Sequence, residues 1–242
     1  TPLYSSAASD VYKRQEIKTK IHSPFSPLLM EYTMPQHYVD KLNTYGDRVY
    51  ADEIKSKNLD SSSTLVGNVK QEHAIEDHIW HEKINEDTPS YFQWVGGCVS
   101  LYIQTIIKRN KYSQDEHGEA VPANETEKQI MKQGIKTLKV LKSWIVNSVA
   151  GDFNPTHHHI GGLSAAGWLI MPESIVNNQE REYAGWIEFM YGESLSLLNN
   201  KHPIKPQVGQ LFLFPSWLQH TVYPFRGSGT RRSISFNVDF TV

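Results

Sequence analysis

Polar and apolar residues alternate from Glu16 onward, with Ile17, Thr19 and Ile21 set against Lys18, Lys20 and His22; this predicts a short strand. Ser23-Pro24-Phe25-Ser26-Pro27 interrupts it, and Leu28 to Tyr32 predicts a second strand. Pro35 suits the first turn of a helix, and Tyr38, Val39, Leu42 and Tyr45 follow at helical spacing. Asp47 to Thr64 is polar and serine-rich near its end, and reads mostly as loop. His73 to His81 sets a charged face against Ile75, Ile79 and Trp80, as a helix would. Tyr91 to Arg109 carries the clearest helical stripe: Trp94, Val95, Cys98, Leu101, Tyr102, Thr105 and Ile106. Gly96 and Gly97 inside it point to close approach of a neighbouring strand. Lys111 to Gly134 is charged, without periodicity, and reads as loop.

After Gly134 the period shortens. Leu138 to Val149, Leu163 to Met171, Trp186 to Tyr191, Val208 to Phe214, Gln219 to Tyr223 and Arg231 to Val242 are strand candidates. Turn signals separate them at Asn177-Asn178, Gly192, Lys205-Pro206, Gly209 and Arg226-Gly227-Ser228-Gly229. Short strands at close spacing with little helix between them predict a β-sandwich or jelly-roll barrel. With the earlier helices the expectation is an α+β protein, helical cover first and barrel second. Residues 16–135 then supply strands and covering helices, and 136–242 the core of one composite domain. Residues 1–15 resemble a translated sequencing-adapter remnant or a disordered tail, and play no part in the fold.

Composition narrows the function classes. The chain has 242 residues, enough to bury a sizeable core. With 24 basic and 26 acidic residues the net charge is −2, which gives no global attraction to nucleic acid or an anionic membrane. No run is apolar enough to span a bilayer. Cys98 is the single cysteine, so an intramolecular disulfide and a thiolate zinc cluster are excluded; a reducing, cytoplasmic setting is the expectation.

The candidate chemistry lies in Gly151-Asp152-Phe153-Asn154-Pro155-Thr156-His157-His158-His159. If this stretch is extended, His157 and His159 share a face and His158 points away. A third imidazole, His220, would come from Phe214-Pro215-Ser216-Trp217-Leu218-Gln219-His220. Two ligands one residue apart on a strand and one distant partner form the layout of a metal site inside a β-barrel. Imidazole suits iron, manganese and zinc alike. The common iron(II) pattern has two histidines and a carboxylate, and His159 stands where the carboxylate would be. Glu188 is the reserve carboxylate, ahead of Asp152 and Asp239. His73, His78 and His81 fall at near-helical spacing and read as a solvated face.

Four pieces in order carry a family resemblance. They are the Gly151–His159 stretch, Gly185-Trp186-Ile187-Glu188-Phe189, the run from Pro206 to His220, and Arg231-Arg232-Ser233-Ile234-Ser235-Phe236-Asn237. From about Lys136 to Phe240 the chain resembles the 2-oxoglutarate/Fe(II)-dependent dioxygenase superfamily, and within it a branch of oxygenases common in marine microbial and phage sequence. The resemblance implies a double-stranded β-helix, the jelly-roll or cupin-like barrel. It implies Fe(II) held by His157, His159 and His220, and 2-oxoglutarate as co-substrate. Arg231 and Ser233 match the Arg-x-Ser pair that holds the far carboxylate of 2-oxoglutarate; Arg232 would point away. Asn147, on a neighbouring strand, is a further candidate for binding 2-oxoglutarate or the substrate. The implied reaction is hydroxylation of a C–H bond in a small-molecule or peptide substrate, consuming O2 and releasing succinate and carbon dioxide. One departure is Gly162, where relatives often carry Asp. Two rival readings are a cupin-like three-histidine metalloenzyme that does not use 2-oxoglutarate, and a degenerate jelly-roll binding module. Substrate and oligomeric state are left open.

Overall fold

The computed structural model of the chain describes residues 27–62, 67–69, 71–110, 134–178, 182–196 and 199–241, with 125, 128, 129 and 132 between them. The strand expected over 17–22 and most of the 111–134 loop lie outside these residues. Helices are α1 (Gln36–Ala51), α2 (Glu53–Leu59), α3 (Asp77–His81), α4 (Tyr91–Asn110) and α5 (Glu173–Val176). Strands are β1 (Met30–Thr33), β2 (Gln71–Ala74), β3 (Thr137–Ser148), β4 (Asn154–His157), β5 (Leu163–Ile170), β6 (Ile187–Met190), β7 (Lys201–Ile204), β8 (Gln210–Pro215), β9 (Gln219–Val222) and β10 (Arg231–Thr241). A six-stranded sheet runs β1-β8-β5-β10-β3-β2, and a four-stranded sheet runs β4-β9-β6-β7. The strand pairs are antiparallel. The class is therefore mixed helix and antiparallel sheet.

Side-chain alternation explains why the larger sheet is buried on both faces. Leu211 and Leu213 of β8, with Ile234 and Phe236 of β10, join the core that Tyr38, Val39, Leu42, Tyr45 and Val49 of α1 complete. Phe212 and Phe214 point the other way and pack with Ile187 and Phe189 of the smaller sheet and with Leu218 of the β8–β9 turn. Helices thus cover one face, and the second sheet covers the other.

Gly167 lies where β5 passes close to β8 and β10. A Cβ there would lie 2.7 Å from Leu211 Cδ1 and 3.1 Å from the Gln210 carbonyl oxygen. The Leu211 methyl can turn aside, but the Gln210 backbone cannot without moving β8. Gly167→Ala is expected to cost about 1–3 kcal/mol of stability in urea unfolding, as overpacking does.

Three expectations need correction. The described part of the Asp47–Thr64 stretch is largely helical: α1 continues to Ala51, and α2 is capped by Asp52, whose carboxylate accepts from Ile54 N and Lys55 N at 3.0 Å each. No α2 residue is buried, so it has no apolar stripe to reveal it. His73 lies on β2, because residues 71–74 pair with β3; only Asp77–His81 is helical. Gly96 and Gly97 permit no close approach: a Cβ on Gly96 would meet only Leu138 Cδ2 at 3.8 Å, and one on Gly97 nothing within 4 Å. In α4 the buried stripe includes Val95, Cys98, Val99 and Tyr102, while Leu101 is exposed. Burial pushes the Cys98 thiol up to about 12, as fits an inert apolar contact. Among the described residues no helix is long and apolar enough to cross a membrane.

Candidate active site

Extended backbone through Asn154–His157 places His157 on β4, opposite His220 on β9. His159 follows beyond the strand end, where its N–H donates to Ser216 O at 2.8 Å. Ser216 sits in the turn between β8 and β9. Its Oγ lies 2.9 Å from Ser164 Oγ, which donates to Asn237 Oδ1 at 2.8 Å. This buried polar chain ties the segment after β4 to β5 and β10. Three imidazoles converge as a result, with one ligand atom from each of His157, His159 and His220 lying within 4.8 Å of the others. His158 is exposed, as alternation predicts.

Hydrogen bonding sets the tautomers. His157 Nδ1 is 2.7 Å from Pro155 O, and His220 Nδ1 is 2.9 Å from Leu218 O. A carbonyl only accepts, so each Nδ1 carries the proton and each Nε2 keeps its lone pair. Asn154 Nδ2 is 3.3 Å from His157 Nε2, an electrophilic N–H on the lone pair a metal would use. Burial, reinforced by the neighbouring imidazoles, holds His159 down to about 4 and His220 down to about 3; burial also lowers His157. All three are neutral at pH 7, the form that ligates a metal. Phe214 and Phe189 pack on the His220 ring, with centroids 5.1 and 5.8 Å away.

The cavity the histidines line extends between the sheets to Trp168, Ser148, Arg231 and Ser233. Arg231 is buried; Nη1 donates to Gly185 O at 2.9 Å and Nη2 to Ser148 Oγ at 3.1 Å. Its Nε is buried without a partner. Burial lowers Arg231 to about 10, against the opposing pull of the Asp152 carboxylate. An orphaned donor on a buried cation is costly, and an anionic acceptor would satisfy both its charge and its N–H.

The remaining candidates lie elsewhere. Arg232 points to the helices; it donates to Asn147 Oδ1 at 2.9 Å, Asn43 O at 3.1 Å and Asp47 Oδ1 at 2.8 Å. Asn147 is therefore not brought to the cavity: β3 turns Trp144, Val146 and Ser148 inward and Asn147 outward, onto Arg232. Glu188, the reserve carboxylate, is also outside the cluster. It follows cavity-lining Ile187 on β6, so it faces away, accepting from Tyr223 Oη at 2.9 Å and pairing with Lys201 Nζ at 3.2 Å. Asp152 Oδ2 accepts from Val149 N at 2.9 Å, and Asp239 Oδ1 from Gly162 N at 2.7 Å. Gly162 faces Phe240, whose Cε1 would lie 3.0 Å from a Cβ, and does not line the cavity. His73 bonds Ser56 Oγ through Nε2 at 2.7 Å and joins no metal-ligand cluster among the described residues. Among the lining residues, the ionisable one that the sequence did not single out is Glu72, on β2.

Residues 142–237, the stretch that bears the histidines and Arg231, match the family described as "Putative 2OG-Fe(II) oxygenase". This segment belongs to the 2-oxoglutarate/Fe(II)-dependent oxygenase superfamily. For residues 142–237 the match implies the oxidoreductase chemistry of an oxygenase that uses Fe(II) and 2-oxoglutarate. Among solved structures, a prolyl-4-hydroxylase from Pseudomonas putida is 14% identical, with TM-score 0.47 and coverage of 89% of this chain and 93% of that one. A prolyl hydroxylase from Trichoplax adhaerens is 12% identical, with TM-score 0.45 and coverage of 88% and 83%. A viral collagen prolyl hydroxylase from Paramecium Bursaria Chlorella virus-1 is 11% identical, with TM-score 0.43 and coverage of 88% and 96%. Likenesses of this strength leave the substrate open. Comparison with curated proteins gave no match.

The residues present suit an oxygenase's two groups. Three neutral imidazoles within one ion's reach form a donor set for Fe(II). The orphaned Nε of Arg231, in the same cavity, suits a carboxylate.

Proposed function

We propose that the protein hydroxylates a C–H bond of a small-molecule or peptide substrate, with His157, His159 and His220 holding Fe(II) and Arg231 with Ser233 holding the far carboxylate of 2-oxoglutarate. The observation that carries this reading is the single cavity shared by the three imidazoles and a buried guanidinium with an unsatisfied Nε. The two antiparallel sheets are read as the opposing walls of a double-stranded β-helix.

Charge supports the all-histidine site. Fe(II) carries two positive charges and 2-oxoglutarate two negative ones, so neutral ligands leave their assembly neutral. Arg231 adds one positive charge, and buried Asp152 is the carboxylate that acts on it. Fe(II) with 2-oxoglutarate supplies the oxidising power, drawn from O2 by decarboxylation of 2-oxoglutarate to succinate and carbon dioxide.

The chain's own residues do the positioning. Pro155 O and Leu218 O fix the His157 and His220 rings through their Nδ1 protons, so each Nε2 is presented without tautomer change. Asn154 releases His157 Nε2 as that lone pair is taken. Gly185 O and Ser148 Oγ hold the Arg231 fork from one side and leave Nε for the carboxylate, beside Ser233. Phe189 and Phe214 exclude water from the wall behind His220.

Anaerobic addition of Fe(II) and then 2-oxoglutarate is expected to produce the weak visible charge-transfer band of the chelated pair. His220→Ala should abolish it while Arg232→Lys, on the opposite face of β10, retains it. No band from the intact protein overturns the reading. Metal binding without any response to 2-oxoglutarate would favour the three-histidine enzyme that does not use it.

A further inference from the structure

The cavity contains an ionisable side chain that the proposed reaction does not use. Glu72 sits on β2, the edge strand of the larger sheet, opposite Val146. It is 2% exposed and lines the cavity that the histidines line. Lys142, Trp144, Val146 and Ser148 alternate along β3 and share one face. That row begins at Ser148, bonded to Arg231, and ends at Lys142, whose side chain is half exposed. Trp144 lies between; its ring centroid is 5.5 Å from that of His159.

The open end of this row already bears an ammonium group. Lys142 Nζ lies 5.2 Å over the Trp144 ring and 3.9 Å from Glu72 Oε1. An acid beside an aromatic face is a cation site by its chemistry, since the carboxylate supplies charge and the ring its negative quadrupole. Lys142 fits it loosely. A charge-assisted hydrogen bond closes to roughly 2.7–2.9 Å, well inside the distance seen here. Burial still pushes the Glu72 carboxyl up to about 7, despite Lys142 and the Ser61 Oγ 3.2 Å away, with Asp60 adding to the rise. A half-solvated lysine leaves such a position at little cost.

We propose that Glu72 and Trp144 form a subsite for a cationic group of the substrate, an ammonium or guanidinium, with Lys142 its resident stand-in. Calling the ligand a substrate rests on the function proposed above; the recognition itself needs neither iron nor 2-oxoglutarate. A cation seated there places its neighbouring carbons against Trp144, on the side of His159.

The test uses the metal-free protein labelled with nitrogen-15, following the Trp144 indole N–H during titration with n-butylammonium, n-butanol and butyrate. A saturable shift with n-butylammonium alone is expected. Lys142→Ala should tighten that binding about tenfold by removing the competing ammonium, and Glu72→Gln should weaken it about tenfold. An equal response to n-butanol overturns the subsite, as does a Lys142→Ala variant that binds no better than the parent. Lys142 is half exposed, so this arm stands even if Glu72→Gln fails to fold. Failure here leaves the charge-transfer experiment untouched, and loss of the charge-transfer band leaves this titration untouched.

Discussion

Arg231→Ala is expected to raise the 2-oxoglutarate concentration that half-saturates the charge-transfer band by about 100-fold, leaving Fe(II) affinity within a few-fold of the parent. The figure follows from losing a charge-assisted contact through the buried Nε, about 3 kcal/mol. Arg231 is buried, so its removal also strands Gly185 O and Ser148 Oγ. Arg231→Lys separates the two effects. It keeps a cation for the fold, yet lacks the planar fork, so most of the loss in 2-oxoglutarate affinity should remain. Arg232→Ala is the control in the other direction. It breaks the contacts to Asn147, Asn43 and Asp47, and should lower unfolding stability without moving the 2-oxoglutarate midpoint. If Arg232→Ala moved that midpoint and Arg231→Lys did not, the assignment of the pair would be reversed.

The metal-free protein should lose stability on acidification because its histidines cannot take up protons while folded. His220 titrates near 3 in the fold and near 6.5 in an unfolded chain, since burial disfavours the imidazolium. A depressed folded value means that the unfolded state binds more protons between those limits. Stability is therefore full above pH 6.5 and falls as pH drops toward 3. At pH 5 the His220 contribution amounts to about 2 kcal/mol, and His159, held down to about 4, acts in the same direction. Urea unfolding at pH 7.5 and pH 5 measures the difference. In His220→Gln the pH-dependent loss should shrink by about that amount, and an undiminished slope would overturn the linkage. The same depressed values keep the imidazoles free of protons, so metal should remain bound well below the pH at which exposed histidines release it.

Much of the site was legible because a strand has period two. Parity alone separated His157 and His159 from His158, and Arg231 and Ser233 from Arg232. The same rule, carried further, would have turned Asn147 away: it is three positions from Trp144, hence on the other face. Other features had no local signal. Helix α2 buries nothing and is fixed by the Asp52 cap, so its sequence reads as polar loop. Glu72 lies in a short polar stretch that becomes strand only by pairing with β3. Its approach to Trp144 depends on a register that no spacing within β2 encodes. Glu188 looked available because a carboxylate on a core strand is unusual; Tyr223, just past the end of β9, and Lys201 of β7 explain it.

Ser216 has a consequence for timing. Its carbonyl holds the His159 amide, while its hydroxyl belongs to the chain that runs through Ser164 to Asn237 in the middle of the larger sheet. His159 follows a four-residue strand with a single neighbour and would by position be among the first backbone sites to trade its proton with solvent. Anchored in this way, its amide should instead exchange on the slow clock of β5 and β10. The protein then cannot loosen one histidine alone: the pace at which His159 comes free is set by the pace at which the sheets part.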